Sequence, residues 1–162
     1  MILQRKEAVR LAAFIQMFRL PAKQREFFIE SALLENEAEN ISEAKEHFYL
    51  RDYIEYELKF VKNSYLGKLI SDKFNVKVII EGKQPRLFRC RCCGYKTLKQ
   101  IGHFDICKIC FWEDDGADDD ERYSPPNRMT LKEARNNFEM YGACDEKSLQ
   151  HLNEDRMLKY EK

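Results

Sequence analysis

Four of the six cysteines, Cys90, Cys93, Cys107 and Cys110, follow the spacing C-x2-C-x13-C-x2-C. Each CxxC pair can turn two thiolates toward one point, and the thirteen-residue gap lets a short hairpin bring the pairs together. Four sulfurs then close a tetrahedron around one Zn2+, with Zn–S bonds of ~2.3 Å. Such a site has no open position for a substrate or an activated water. The spacing therefore predicts a single structural Zn2+, no catalytic residue, and a chain that is not an enzyme. Cys92 lies between the first two ligands and is the alternative to Cys90 or Cys93, although a CxxC pair suits one tetrahedral site better than adjacent cysteines do. Cys144 reads as a small apolar filler. His103, four residues before Cys107, is a further candidate ligand, but four thiolates already suffice. A redox role for the CxxC pairs finds no thioredoxin-like βαβ pattern around them.

The two cysteine pairs sit in unequal turns. Gly94 directly follows Cys93 and supplies the positive φ that aims backbone N–H groups at the sulfurs. Phe111 occupies the corresponding place after Cys110, a less favourable residue for that turn. Beyond it, Trp112 leads into Glu113-Asp114-Asp115-Gly116-Ala117-Asp118-Asp119-Asp120-Glu121, seven carboxylates in nine residues. Their alternation is wrong for an EF-hand, and the late glutamate is displaced. The run reads either as a solvated loop or as an anionic docking surface. In the second reading Trp112, Glu113, Asp114, Asp115, Asp118, Asp119, Asp120 and Glu121 bind a basic partner and speed its encounter at low salt.

The elements that must hold these groups are legible in outline. The 162 residues carry 28 basic and 28 acidic side chains, a net charge of zero that argues against a general polyanion binder. Residues 1–89 hold 16 Lys/Arg against 13 Asp/Glu, and residues 90–162 hold 12 against 15. Leu3, Ala8, Leu11, Ala12, Ile15 and Phe18 predict a first helix over 2–19. Pro21 opens a second, with Phe27, Phe28, Ala32 and Leu33 on it. Ser42 is the expected N-cap of a long third helix reaching Ser71, where Leu50, Ile54, Leu58, Val61 and Tyr65 form one stripe. Tyr49, Tyr53, Tyr56 and Phe60 form a second line, read as packed at the rim or as an exposed partner face. Val76–Ile80 predicts a strand. Thr130 and Glu133 fit a capping box for a helix carrying Leu131, Ala134, Phe138 and Tyr141, with a C-cap at Gly142. Asp145 caps a last helix with Leu149, Leu152, Met157 and Tyr160. The sum is an α+β protein: a helical region, 1–80, packed on a zinc-ribbon-like module, 81–162, with a short sheet and two helices.

The second part resembles the bacterial cysteine-rich CPCC domain family. The resemblance runs over about 87–150 and rests on Cys90-Arg91-Cys92-Cys93-Gly94-Tyr95, Asp105-Ile106-Cys107, Cys110-Phe111-Trp112-Glu113-Asp114-Asp115, Pro126-Asn127, Leu131 to Phe138, and Tyr141-Gly142-Ala143-Cys144. Arg91 departs from it, since the family usually has proline there. The resemblance implies a small metal-binding module with no defined enzymatic activity, and a place for some members among toxin-neutralising immunity proteins. Toxins that degrade nucleic acid bind phosphates and tend to be basic, so the expected partner is a basic toxin domain covered by the acidic run. The alternative is a nucleic-acid-associated zinc-ribbon regulator, using Arg86, Arg89, Arg91, Lys96 and Lys99. Charge at Arg5-Lys6-Glu7 interrupts a signal-peptide core, and no run approaches ~18 apolar residues. A cytoplasmic protein with reduced cysteines and no membrane partner is expected.

Overall fold

The computed structural model describes residues 1–35 and 43–162, with the side chains at 27, 28 and 31–46 left aside. The chain divides into two compact units, Met1–Pro85 and Arg86–Lys162. It is an α+β protein, with helices, three two-stranded sheets among the described residues, and a cysteine cluster in the second unit.

The first unit opens with strand β1 (Ile2–Gln4), where a helix is predicted, and helix α1 starts only at Arg5 and runs to Arg19. Glu7 accepts the N–H of Gln4 at 3.0 Å and so marks the switch from strand to helix. After Pro21 come α2 (Ala22–Glu35) and α3 (Glu43–Leu58). The predicted side chains at Phe27, Phe28, Ala32 and Leu33, and the Ser42 cap, lie outside the described residues. Leu50, Ile54, Leu58 and Val61 are buried as the stripe requires, while Tyr65 is half-buried.

The single long third helix does not form. It breaks after Leu58 and resumes as α4 (Asn63–Phe74). The cause is Arg5, whose guanidinium is buried and donates to the carbonyls of Lys59 and Val61, each at 2.7 Å, and to Asn63 Oδ1. Burial pulls the Arg5 pKa down from its ordinary value. Those two carbonyls would otherwise be orphaned at a helix end. Asn63 in turn donates to the Gly82 carbonyl at 3.0 Å. One buried cation thus ties the α3–α4 break to the start of α1.

Strand β2 (Ile79–Glu81) pairs in parallel with β1, with Ile2 opposite Ile79 and Gln4 opposite Glu81. Glu81 therefore belongs to the first unit, five residues before Arg86 begins the second. Gly67 of α4 lets the helix lie on this strand, because a Cβ there would stand 3.1 Å from the Val78 carbonyl oxygen.

The second unit contains β3 (Phe88–Arg89) antiparallel to β4 (Lys96–Leu98), and β5 (Tyr123–Ser124) antiparallel to β6 (Met129–Thr130). Helix α5 (Leu131–Tyr141) follows with both halves of its capping box formed: Thr130 Oγ1 accepts the Glu133 N–H at 3.2 Å and Glu133 accepts the Thr130 N–H at 2.7 Å. Gly142 ends it at φ 78°. The expected last helix is instead a 3-10 turn, Glu146–His151, capped by Asp145, followed by the short α6 (Arg156–Lys159). Arg156, the first residue of α6, ties it to the second cysteine turn and the end of α5, donating to the carbonyls of Ile109 at 2.9 Å and Gly142 at 3.1 Å. Leu149 and Met157 are exposed, whereas Tyr160 is buried. Among the described residues, no helix is long and apolar enough to cross a membrane.

Candidate metal centre

The two CxxC turns have the same backbone bonding. In the first, Gly94 N–H donates to the Cys90 carbonyl at 2.9 Å, and Cys90 N–H to the Tyr95 carbonyl at 2.8 Å. In the second, Phe111 N–H donates to the Cys107 carbonyl at 2.9 Å, and Cys107 N–H to the Trp112 carbonyl at 2.9 Å. Gly94 takes φ 78° and Phe111 takes φ 69°. The turn therefore imposes a left-handed residue after each pair whatever its type. At Phe111 this costs about 1–2 kcal/mol, offset in part by stacking of its ring on His151, with centroids 5.1 Å apart.

The turns bring the four sulfurs together. One ligand atom from each of Cys90, Cys93, Cys107 and Cys110 lies within 4.8 Å of all the others, and all four residues are buried. Cys90 and Cys110 sulfurs are 3.6 Å apart, as are those of Cys93 and Cys107. A tetrahedron with bonds of ~2.3 Å requires sulfurs about 3.8 Å apart, close to those two separations, and the remaining pairs lie within 4.8 Å. Thr97 Oγ1 at 3.0 Å and Ile109 N–H at 3.4 Å donate to the Cys107 sulfur, the outer hydrogen bonds that orient and stabilise a ligating thiolate. This is a possible metal-binding cluster formed entirely by cysteine.

Electrostatics agree with that use. Burial alone would raise the Cys107 thiol, but hydrogen bonds from Cys110, Cys90, Cys93 and Thr97 outweigh it and hold its pKa well below the ordinary value. Sharing a hydrogen with Cys107 pushes Cys90 up, and burial pushes Cys110 well up. Crowding thus concentrates negative charge on one sulfur and keeps others protonated. A divalent cation at the centre reverses this by stabilising every thiolate.

The remaining candidates fall outside the cluster. Cys92 is not one of the four mutually close sulfurs, though it neighbours Cys110, and it donates to the Ala134 carbonyl at 3.4 Å, anchoring α5. Cys144 is buried, which pushes its thiol up to about 12, and its N–H donates to the Cys110 carbonyl at 2.7 Å. His103 is exposed and is not part of the cluster. Arg91, in the place of the family's proline, has its carbonyl bound by Arg135 Nε at 3.0 Å, so the first turn is braced from α5 instead.

The acidic run differs most from its expectation. Trp112 and Asp114 are fully buried and present no surface to a partner. Asp114 Oδ2 accepts the Gly102 N–H at 2.6 Å. Asp115 and Asp119 accept N–H groups two residues ahead, from Ala117 and Glu121. Asp120 pairs with Arg135, and Glu121 with Lys132 at 2.7 Å. Much of the run is therefore internal wiring, which tethers the loop to α5. Glu113 and Asp115 are half-buried, and Asp118, Asp119, Asp120 and Glu121 stay exposed. The candidate basic patch is likewise partly used: Arg89 donates to the Gly94 carbonyl at 2.8 Å and Lys96 pairs with Glu161 at 2.8 Å. Sequence reasoning missed Thr97, because a lone threonine in a strand carries no signal of the sulfur it will face.

Residues 88–157 match the model of a family described as Cysteine-rich CPCC, a stretch that contains both cysteine turns. No curated protein and no solved structure matches the chain.

Proposed function

We propose that this CPCC-domain protein is a non-catalytic binding protein whose second unit folds around one structural Zn2+. Its role in this reading is to cover a protein partner, the partner being a basic, nucleic-acid-degrading toxin that it neutralises as an immunity protein in the bacterial cytoplasm. The observation that carries the non-catalytic part is the cage itself. Four buried sulfurs spaced for one tetrahedron leave a bound ion no open position, so the metal serves folding. Thiolates in such a site stay reduced in the cytoplasm. The exposed carboxylates of Asp118 and Asp119, outside the ion pairs that hold Asp120 and Glu121, support a basic partner.

Two measurements test this. Purified protein should hold one equivalent of zinc, with no exchangeable water on the ion. Less than half an equivalent, or another metal at full occupancy, would overturn the zinc assignment. Co-expression with the product of the adjacent upstream reading frame should restore growth that the product alone abolishes. If growth is not restored, or if the protein instead binds DNA or RNA with an affinity that falls steeply with salt, the immunity role is wrong and the regulator reading replaces it.

A further inference from the structure

The loop joining the two cysteine turns, residues 99–106, is held far more firmly than a connection of its length needs. Asp105 Oδ2 accepts the N–H groups of Lys99 at 2.7 Å and Gln100 at 3.2 Å. The buried Asp114 grips it from the other side. Its side chain accepts the Gly102 N–H at 2.6 Å, its carbonyl accepts the Phe104 N–H at 2.9 Å, and its own N–H donates to the Asp105 carbonyl at 3.0 Å. Gly102 and Gly116 touch backbone to backbone, since a Cβ on Gly116 would lie 3.4 Å from Gly102 Cα.

This rigidity is held against two opposing terms. Phe104 adopts φ 60°, the left-handed region that L residues avoid. Asp114 Oδ1 is buried with no hydrogen-bond partner, a desolvation penalty that a native interior normally avoids. What the loop presents to solvent in return is apolar: Phe104 is 59% exposed, Ile106 45% and Ile101 44%. Side chains that served the fold would be buried. Here the backbone is strained and the side chains point out, the pattern expected of a preformed binding element.

We infer that residues 101–106 form an apolar knob that inserts into a concave apolar pocket, rimmed by basic groups, on a protein partner. An aromatic anchor already fixed in place loses little entropy on binding, which is how a few residues carry most of an interface's affinity. The basic rim follows from what flanks the knob. Glu113 bridges to Ile106, and Asp115 and Asp118 lie on either side of Gly116, where the acidic run meets the loop. Lys99 and Lys108, at the loop's ends, and Arg122, which donates to the Gly116 carbonyl at 3.4 Å, are already engaged within the protein. These carboxylates repel both nucleic acid and anionic membrane. The inference rests on the protein-binding reading above and adds where the partner sits and what its pocket contains.

The test places the photo-crosslinker p-benzoylphenylalanine at position 104 of the full chain in its native cells, with position 140 (Met140, 65% exposed) as the control site. The cross-linked protein is then purified and titrated against wild type, Phe104→Gly and Asp118→Lys. Phe104→Gly relieves the strained φ, so its melting temperature should equal or exceed that of wild type while its affinity falls at least 30-fold. Asp118→Lys should weaken binding about 5-fold at low salt and less at high salt. No protein adduct specific to position 104 overturns the inference, as do an adduct with nucleic acid or lipid and a partner that binds Phe104→Gly within threefold of wild type. A toxin that binds independently of Phe104 removes the knob and leaves the immunity role intact. A partner that is not a toxin but depends on Phe104 and Asp118 does the reverse.

Discussion

The two units reach a fixed structure by opposite means. The first has an apolar interior of ordinary kind, Ala8, Ala12, Leu50, Leu58, Leu66 and Ile70 among its fully or nearly fully buried residues, and inserts one cation, Arg5, to satisfy the carbonyls where its helices break. The second buries all six cysteines and few large apolar side chains, chiefly Trp112, Leu98, Ile109 and Leu131. Its strands are two or three residues long. Strands that short and a core that small rarely stand alone. In the proposed reading the first unit can thus lose any one interaction and weaken, whereas the second depends on a single centre.

The largest expected effect follows directly. Removing the metal with a chelator, or substituting Cys93→Ser, should unfold the second unit, because a structural zinc site contributes on the order of 10–16 kcal/mol of apparent binding energy to folding. The near-UV circular dichroism of Trp112 should collapse while most helical signal at 222 nm persists. An unchanged Trp112 signal in the metal-free protein would remove the contrast between the units. Cys92→Ser sharpens it: with its sulfur outside the cage, that variant should keep a full equivalent of zinc.

Protonation gives the same contrast a pH axis. Cys90 and Cys110 are pushed up in the cage without metal, so at neutral pH both carry protons that a metal must displace. Zinc uptake should therefore release at least two protons, and affinity should fall as pH falls. Calorimetry in buffers of different ionisation enthalpy reads this directly; release of fewer than two protons contradicts it.

Next in size is Arg5→Met, which keeps the volume and leaves the Lys59 and Val61 carbonyls unpaired. It should destabilise the first unit by about 2–4 kcal/mol in chemical denaturation and leave zinc content untouched. A loss under about 1 kcal/mol would show that solvent replaces the guanidinium. The smallest effects compare the two cysteine turns. Gly94→Ala places a Cβ in open space, so it meets only the φ penalty and should cost about 1 kcal/mol. Phe111→Gly relieves that penalty but loses the stack on His151, and the two should cancel to within about 0.5 kcal/mol. A clear gain in melting temperature would mean that the stack contributes nothing.

What was legible in the sequence was what is local. The two CxxC turns, the Thr130–Glu133 capping box and the Gly142 cap depend on residues a few positions apart; the capping box and cap formed as read, and the turns bring the four cysteines into one cluster. The helical stripe through Leu50, Ile54 and Leu58 was legible because its period is intrinsic to the helix. The rest depended on distant partners. Ile2-Leu3-Gln4 is too short for its period to separate strand from helix, and only Ile79–Glu81 makes it a strand. The break after Leu58 needs Arg5, more than fifty positions earlier. The acidic run looked like a free surface because charge composition does not reveal Arg135 and Lys132 lying opposite Asp120 and Glu121.

The pairing of β1 with β2 carries a consequence for synthesis. Ile2, Leu3 and Gln4 have no strand partner until Ile79, Ile80 and Glu81 have been added. At ~5–20 residues per second, the opening strand waits about 4–15 s on the ribosome while the helices that follow it are made. The first unit cannot be sealed from its beginning. It closes only when its last strand arrives, just ahead of the cysteines whose turn it is to find a metal.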